Sequence, residues 1–279
     1  MGWTAWEKVP DLEFTDIIYE KKFRTEGGGV ARVTINRTQV LNAFTDHTTL
    51  EIGTALYDAS HDPMVGVVVL TGAGDQAFST GGDVNWEASG GTRMEFFGNP
   101  RLINDYVRSC RKPLIAAVKG YAIGGGHHLA YCCDFTLAAD NAVFGQNGPR
   151  IGSPADGWYV TYLTRVVGAK KAREIWMFAR RYTAQEALQM GLVNKVVPLN
   201  KLDEEVDRWC EEILSLCPPC IEILKTAFDS DIDYLRGQSG QWTNLMHPDV
   251  IDSPEVKEAQ QAFMEKRAPD FWKVRKQKE

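Results

Sequence analysis

Apolar and polar positions divide the chain into segments of two periodicities. Residues 17–20 and 30–35 alternate and are β-rich, which predicts a hairpin turned by Gly27-Gly28-Gly29. Residues 65–71 (Val-Gly-Val-Val-Val-Leu-Thr) and 114–118 (Leu-Ile-Ala-Ala-Val) are continuous apolar runs, the mark of strands buried on both faces. Helical spacing over 45–59, 101–110 and 126–134 separates the strands, and 135–138 predicts one more. Repeated strand, turn and helix units imply an α/β fold with crossover connections. Beyond Gly168 the patterns are helical, over 170–179, 184–190, 202–214, 219–228 and 254–266, with one short strand at 195–198. This predicts a core over residues 1–200 and a helical C-terminal region over 201–279, with no tandem repeat and no long linker.

Composition changes this picture little. With 279 residues, 44% of them apolar and 24% charged, the chain is long enough to bury a substantial core. A net charge of −6 without a long basic run argues against nucleic-acid binding. The basic end, Lys266-Arg267 and residues 273–278, reads either as a solvated helix end or as a phosphate contact. No stretch of eighteen apolar residues exists to span a membrane. The first twelve residues carry Glu7, Lys8 and Asp11 and do not resemble a signal peptide. Cys110, Cys132, Cys133, Cys210, Cys217 and Cys220 form no pair of CxxC motifs with zinc spacing, so no metal is expected. Cys217-Pro218-Pro219-Cys220 suits a stiff connection between two helices better than an active disulfide. A reduced, cytoplasmic chain is the expectation.

Two glycine clusters each follow a buried strand and precede a helix: Gly81-Gly82-Asp83 after 65–71, and Gly124-Gly125-Gly126 after 114–118. Glycine lets backbone approach a ligand closely, and a helix N-terminus offers unpaired N–H donors. Two such donors on one oxygen would stabilise an enolate or tetrahedral oxyanion. Read alone, each cluster is equally a tight turn, since neither is a P-loop or a dinucleotide fingerprint.

The set Asn42-Ala43-Phe44, Ala77-Phe78-Ser79-Thr80-Gly81-Gly82-Asp83, Gly120-Tyr121-Ala122-Ile123-Gly124-Gly125-Gly126, Cys133-Asp134 and Phe144-Gly145-Gln146 resembles the crotonase (enoyl-CoA hydratase/isomerase) superfamily over nearly the whole chain. Phe144 to Pro149, Lys170 to Trp176 and Lys266 to Phe271 look most like the 1,4-dihydroxy-2-naphthoyl-CoA synthases and the 2-ketocyclohexanecarboxyl-CoA hydrolases. The resemblance implies a spiral of ββα units, a C-terminal helical trimerisation region, and a homotrimer or homohexamer. It implies an acyl-CoA substrate whose thioester oxygen meets the N–H groups of Gly82 and Gly125. It places Lys266 on CoA phosphates and Phe263 on the adenine.

Departures from the family narrow the reaction. Where its hydratases carry two glutamates, this chain reads His128 and Gly148. The naphthoate synthases' aspartate after the serine matching Ser153 reads Ala155, with Asp156 one place later. The tyrosine before their last helix is also missing. Pro154-Ala155-Asp156-Gly157 resembles a stretch of 6-oxocamphor hydrolase, which opens a ring with histidine and aspartate. His128, Asp156 and Ser153 are therefore the catalytic candidates, with a histidine near neutral pKa suited to activating water. Bland readings stand beside each: His128 packs in its helix, His127 is structural, Asp156 or Asp83 caps a helix, Ser153 ends a turn. Gln146 and Trp176 match residues that hold a bicarbonate in some naphthoate synthases. With Gly148 leaving space, a bicarbonate, chloride or water is admitted there, and no cofactor is required.

The expected function is hydrolytic ring opening of an alicyclic β-keto acyl-CoA by retro-Claisen cleavage. The alternatives are a lyase of the same fold (a cyclic enoyl- or dienoyl-CoA hydratase, or a naphthoate-synthase-like ring closure) and a non-enzymatic acyl-CoA binder. The acyl group itself is set by variable loops such as 87–98, which read as a lid or a plain loop. Trp158, Tyr159 and Trp242 either line the acyl pocket or fill the core.

Overall fold

The computed structural model describes residues 2–91, 102–153, 155, 157–233 and 245–274. Seven strands form the larger sheet, in the order β1 (Glu7–Lys8), β2 (Ile17–Phe23), β3 (Gly29–Ile35), β4 (Val65–Gly72), β6 (Leu114–Val118), β8 (Phe135–Ala139) and β11 (Lys195–Val197). The first three are antiparallel and the rest run parallel from β3 onward. A second sheet joins β10 (Arg181–Thr183), β9 (Val143–Gly145), β7 (Tyr121–Ile123) and β5 (Ala77–Ser79). The sequences β4-β5, β6-β7 and β8-β9 thus place one strand in each sheet before a helix. These are the expected ββα turns.

Both faces of the larger sheet are covered, which is why its strands are continuously apolar. Val67, Val69, Ile115, Ala117, Leu137 and Ala139 face Leu202, Val206 and Cys210 of α9 (Leu202–Leu214). Their alternate neighbours Val68, Leu70, Leu114 and Ala116 join the main core. That core also takes α1 (Asp46–His61), α3 (Ile103–Ser109), α4 (Gly125–Cys132), α6 (Trp158–Val167) and α7 (Ala169–Phe178). Of the remaining helices, α2 (Val84–Trp86) and α5 (Gly148–Ile151) are single turns, and α8 (Ala184–Gln189) joins β10 to β11. Then come α10 (Pro218–Asp233), α11 (Pro254–Met264) and α12 (Phe271–Val274). Among the described residues, no helix is long and apolar enough to cross a membrane.

Two expectations need correction. The hairpin strand β2 runs on through Lys21 and Lys22, whose charges the alternation pattern reads as an end. Lys22 is buried instead, its Nζ 2.6 Å from Asp207 and stacked against the rings of Trp3 and Trp6. The region beyond Gly168 also holds a second strand, β10, antiparallel to β9. Three residues are too few to show an alternation.

Candidate functional site

β5 and β7 are parallel neighbours, with Ala77 opposite Tyr121 and Ser79 opposite Ala122. Their C-terminal ends therefore deliver the two glycine segments to one place. A Cβ on Gly81, whose φ is +93°, would lie 2.6 Å from the backbone nitrogen of Gly125. Gly126 could not bear one either, because the Ser79 carbonyl occupies the space. The Asn42-Ala43-Phe44 segment holds this contact in place. Asn42 donates through Nδ2 to the carbonyls of Ala73 (3.0 Å) and Ala77 (2.7 Å), and accepts at its own carbonyl from Ser79 Oγ (2.7 Å). Phe44 N–H donates to Gly81 O, and Asp83 N–H to Phe44 O. Gly82, bridged opposite Phe44, consequently turns its own N–H away from the bridge. Gly125 is the first residue of α4, where the N–H has no intrahelical acceptor. Two neighbouring backbone donors at a helix N-terminus can polarise one carbonyl oxygen and hold the charge of an enolate.

Asp83 caps α2, accepting from the N–H groups of Asn85 and Trp86, and pairs with Arg37 at 3.2 Å. Its carboxylate is committed to structure. Glu87 is not. It opens the turn Glu87–Gly91, and its carboxylate lies against Gly82 where a Cβ would collide with it.

One turn into α4, the two histidines face different surroundings. His127 is fully buried between Tyr131 and Phe144, with Nδ1 2.9 Å from Gln146 Nε2. The Gln146 amide thus donates to Nδ1, and the ring proton is left on Nε2, which has no acceptor among the described residues. Burial, then the neighbouring His128 and Arg181, push its pKa down to about 3. His128 is half-buried and stacks on Tyr159, ring centroids 4.5 Å apart and planes 8° apart. Its Nδ1 lies 2.9 Å from Asn104 Nδ2, and Trp176 leans over it at 6.0 Å. Burial pushes the His128 pKa down to about 3 as well. The imidazole is therefore held in its neutral form, with its Nδ1 occupied.

The cluster is built by four helices. Tyr131 of α4 donates to the carbonyl of Tyr159 on α6 at 3.0 Å. Asp105 of α3 accepts from the Trp158 indole of α6 at 2.8 Å. Trp158 and Tyr159 are both buried in the main core, and the Tyr159 ring lies against His128. Trp176, on α7, has a buried indole N–H with no acceptor among the described residues.

Other candidates lie apart or outside the described residues. Asp156, Pro154 and Trp242 fall outside them, as do residues 92–98 of the loop after Glu87 and 275–278 of the basic end. Ser153 follows α5 and its N–H closes a turn onto Gly148 O at 3.1 Å. At Gly148 a Cβ would meet the Ser153 carbonyl at 2.7 Å, so the turn itself calls for glycine. Phe263, 48% exposed, and Lys266 stand at the end of α11, which packs on α5. Arg267 is tied to Glu258 and Glu265. Neither Asn104 nor Glu87 carries a sequence signal. Asn104 meets its histidine across 24 positions of the chain, and Glu87 is visible only as the first residue of a loop.

The sequence matches the enoyl-CoA hydratase/isomerase family over residues 25–274. An enoyl-CoA hydratase from Mycobacterium avium subsp. paratuberculosis K-10 is 28% identical, with a TM-score of 0.78 over 93% of this chain and 99% of that one. Enoyl-CoA hydratase subunit I from Geobacillus kaustophilus HTA426 is 33% identical over the same shares, with a TM-score of 0.71. A methylmalonyl-CoA decarboxylase in complex with 2-nitronate-propionyl-CoA is 25% identical, with a TM-score of 0.80 over 93% of this chain and 99% of that one.

Proposed function

The chain belongs to the enoyl-CoA hydratase/isomerase family as an acyl-CoA-processing enzyme of crotonase fold, and we propose that it opens the ring of an alicyclic β-keto acyl-CoA by hydrolysis. One observation carries the reading. The paired glycine N–H groups stand one helical turn from a neutral, stacked histidine, at a position where the family's hydratases carry a glutamate.

A β-keto thioester brings two carbonyls to this place. Its thioester oxygen accepts from the N–H groups of Gly82 and Gly125, while its ring ketone faces His128. Water adds to the ketone carbon and gives one proton to a carboxylate: Asp156 by its place in the motif, or Glu87 by its contact with Gly82. The bond between the ketone carbon and the α carbon then breaks, and its electron pair becomes the thioester enolate. Each backbone donor is worth roughly 3–4 kcal/mol to such a charge. Protonation of the α carbon leaves an open-chain CoA thioester with one new carboxylate. The likeness to a methylmalonyl-CoA decarboxylase supports this direction, because decarboxylation also breaks a C–C bond beside a thioester.

Around the reacting atoms, Trp176 Nε1–H and His127 Nε2–H are buried donors without acceptors among the described residues. They suit an anion or water next to Gln146, and a bicarbonate bound there would supply a weak base. In this reading Lys266 meets the CoA phosphates, Phe263 stacks on the adenine, and Ser153 borders the acyl group. The chain assembles as a homotrimer or a pair of trimers through exposed apolar side chains such as Ile223, Leu224 and Phe228 of α10.

A second reading, hydration of a cyclic enoyl-CoA, is favoured by the Glu87 carboxylate beside Gly82. The test is incubation with 2-ketocyclohexanecarboxyl-CoA and with a cyclic enoyl-CoA in ¹⁸O water. Ring opening puts label into a new carboxylate. Label confined to an alcohol of the second substrate, with the first untouched, rejects ring opening.

A further inference from the structure

We propose that Asn104 is a positioning residue that fixes His128 as its Nε2–H tautomer, so that His128 donates a hydrogen bond to the substrate and is not the group that takes a proton from water. The proposal deepens the ring-opening reading, in which a donor at the ketone oxygen is required. It rests on how the Asn104 amide is placed.

Asn104 is the second residue of α3 and is fully buried. Its Nδ2 sits 2.9 Å from His128 Nδ1, while its Oδ1 has no partner among the described residues. Turning the amide over would bring Oδ1 to the ring and leave both N–H groups of Nδ2 buried without an acceptor. A carbonyl oxygen is the less costly group to strand, so the donor belongs toward Nδ1. A neutral imidazole accepting at Nδ1 carries its proton on Nε2. The ring lies flat on Tyr159, with Trp176 tilted against the cluster from α7, and the placement with Nδ1 toward Asn104 gives the amide an acceptor that a ring turned by half a rotation would not. Nδ1 being taken and the ring half-buried, Nε2–H is the polar edge left for a ligand.

The placement of Asn104 is itself anchored on both sides of its helix. The adjacent Asp105 accepts from Leu102 N–H at 3.0 Å and from the Trp158 indole at 2.8 Å. One turn on, Arg108 donates to the Cys132 carbonyl at the end of α4 and pairs with Asp229 of α10. α3 is thereby clamped to the two helices that carry His128 and Tyr159. An asparagine suits this position because a carboxylate would call for a proton on Nδ1 and reverse the tautomer.

The two nitrogens can be told apart in the substrate-free enzyme by NMR of ¹⁵N-histidine-labelled protein, with His128 assigned from the peaks lost in His128→Gln. The expected spectrum has a protonated-type Nε2 and an unprotonated-type Nδ1. Asn104→Asp should exchange the two, and Asn104→Ala should average them. A wild-type His128 protonated on Nδ1 overturns the proposal, whether or not either variant folds, and so does a tautomer that neither folded variant changes. With a turned-over thioester, Asn104→Ala should lower kcat at least about tenfold with KM little altered. Since the spectra need no substrate, they stand or fall apart from the ring-opening reading.

Discussion

Gly81 and Gly125 touch through backbone alone: a Cβ on the first would stand 2.6 Å from the nitrogen of the second. Gly81→Ala must therefore displace the first turn of α4 and one of the two donors with it. We expect kcat to fall about a hundredfold or more in a steady-state assay. Gly74→Ala is the control, since Gly74 has a similar φ of +71° but only Thr38 at 3.7 Å. It should lose stability to backbone strain and keep its activity.

Buried histidines make the fold sensitive to acid. The His127 pKa is lowered from 6.5 to about 3, chiefly by burial, so between those values the unfolded chain binds a proton that the native state refuses. Stability is complete above pH 6.5 and declines as pH falls through this window; His128 acts in the same direction. From pH 7.5 to pH 5, His127 alone should cost on the order of 2 kcal/mol in urea unfolding. His127→Asn should flatten the decline by that amount. Parallel slopes for the two proteins would contradict the assignment.

α10 is pinned to the core by charge. Lys225 Nζ donates to both Asp134 carboxylate oxygens, at 2.8 and 2.6 Å, and Asp134 also accepts from Leu114 N–H at 2.8 Å. Lys225→Met strands that carboxylate and should lower the unfolding free energy by about 2–3 kcal/mol. Adding Asp134→Asn should recover part of the loss, measured by chemical denaturation. Equal losses in the single and double variants would mean the pair matters only for packing.

How much of this was legible in sequence depended on segment length. Residues 65–71 and 114–118 announce buried strands because α9 covers the face opposite the main core, so every position is apolar. The second sheet stayed hidden, its strands being three residues long and three of them lying inside or beside the glycine motifs. The positions of Gly82, Gly125, His128, Gln146 and Trp176 could be picked out by their motifs. The state of His128 could not, because it depends on Asn104, Tyr159 and burial, all contributed by other helices.

Phe228 is 77% exposed on α10, and Ile223 and Leu224 share that helix. Such side chains on one helix suit a subunit interface. Sedimentation velocity should give a trimer or hexamer for the wild type, and Phe228→Asp should shift it toward monomer. A monomeric wild type at assay concentration would remove the proposed assembly.

The central claim is that Gly82 and Gly125 polarise a thioester carbonyl, and vibrational spectroscopy reads that bond itself. An acyl-CoA labelled with ¹³C at the thioester carbonyl, bound to the enzyme, should show its C=O stretch at lower frequency than in solution. The shift should shrink in Gly81→Ala at equal occupancy. A bound thioester whose carbonyl stretch stays at the solution frequency would contradict the account.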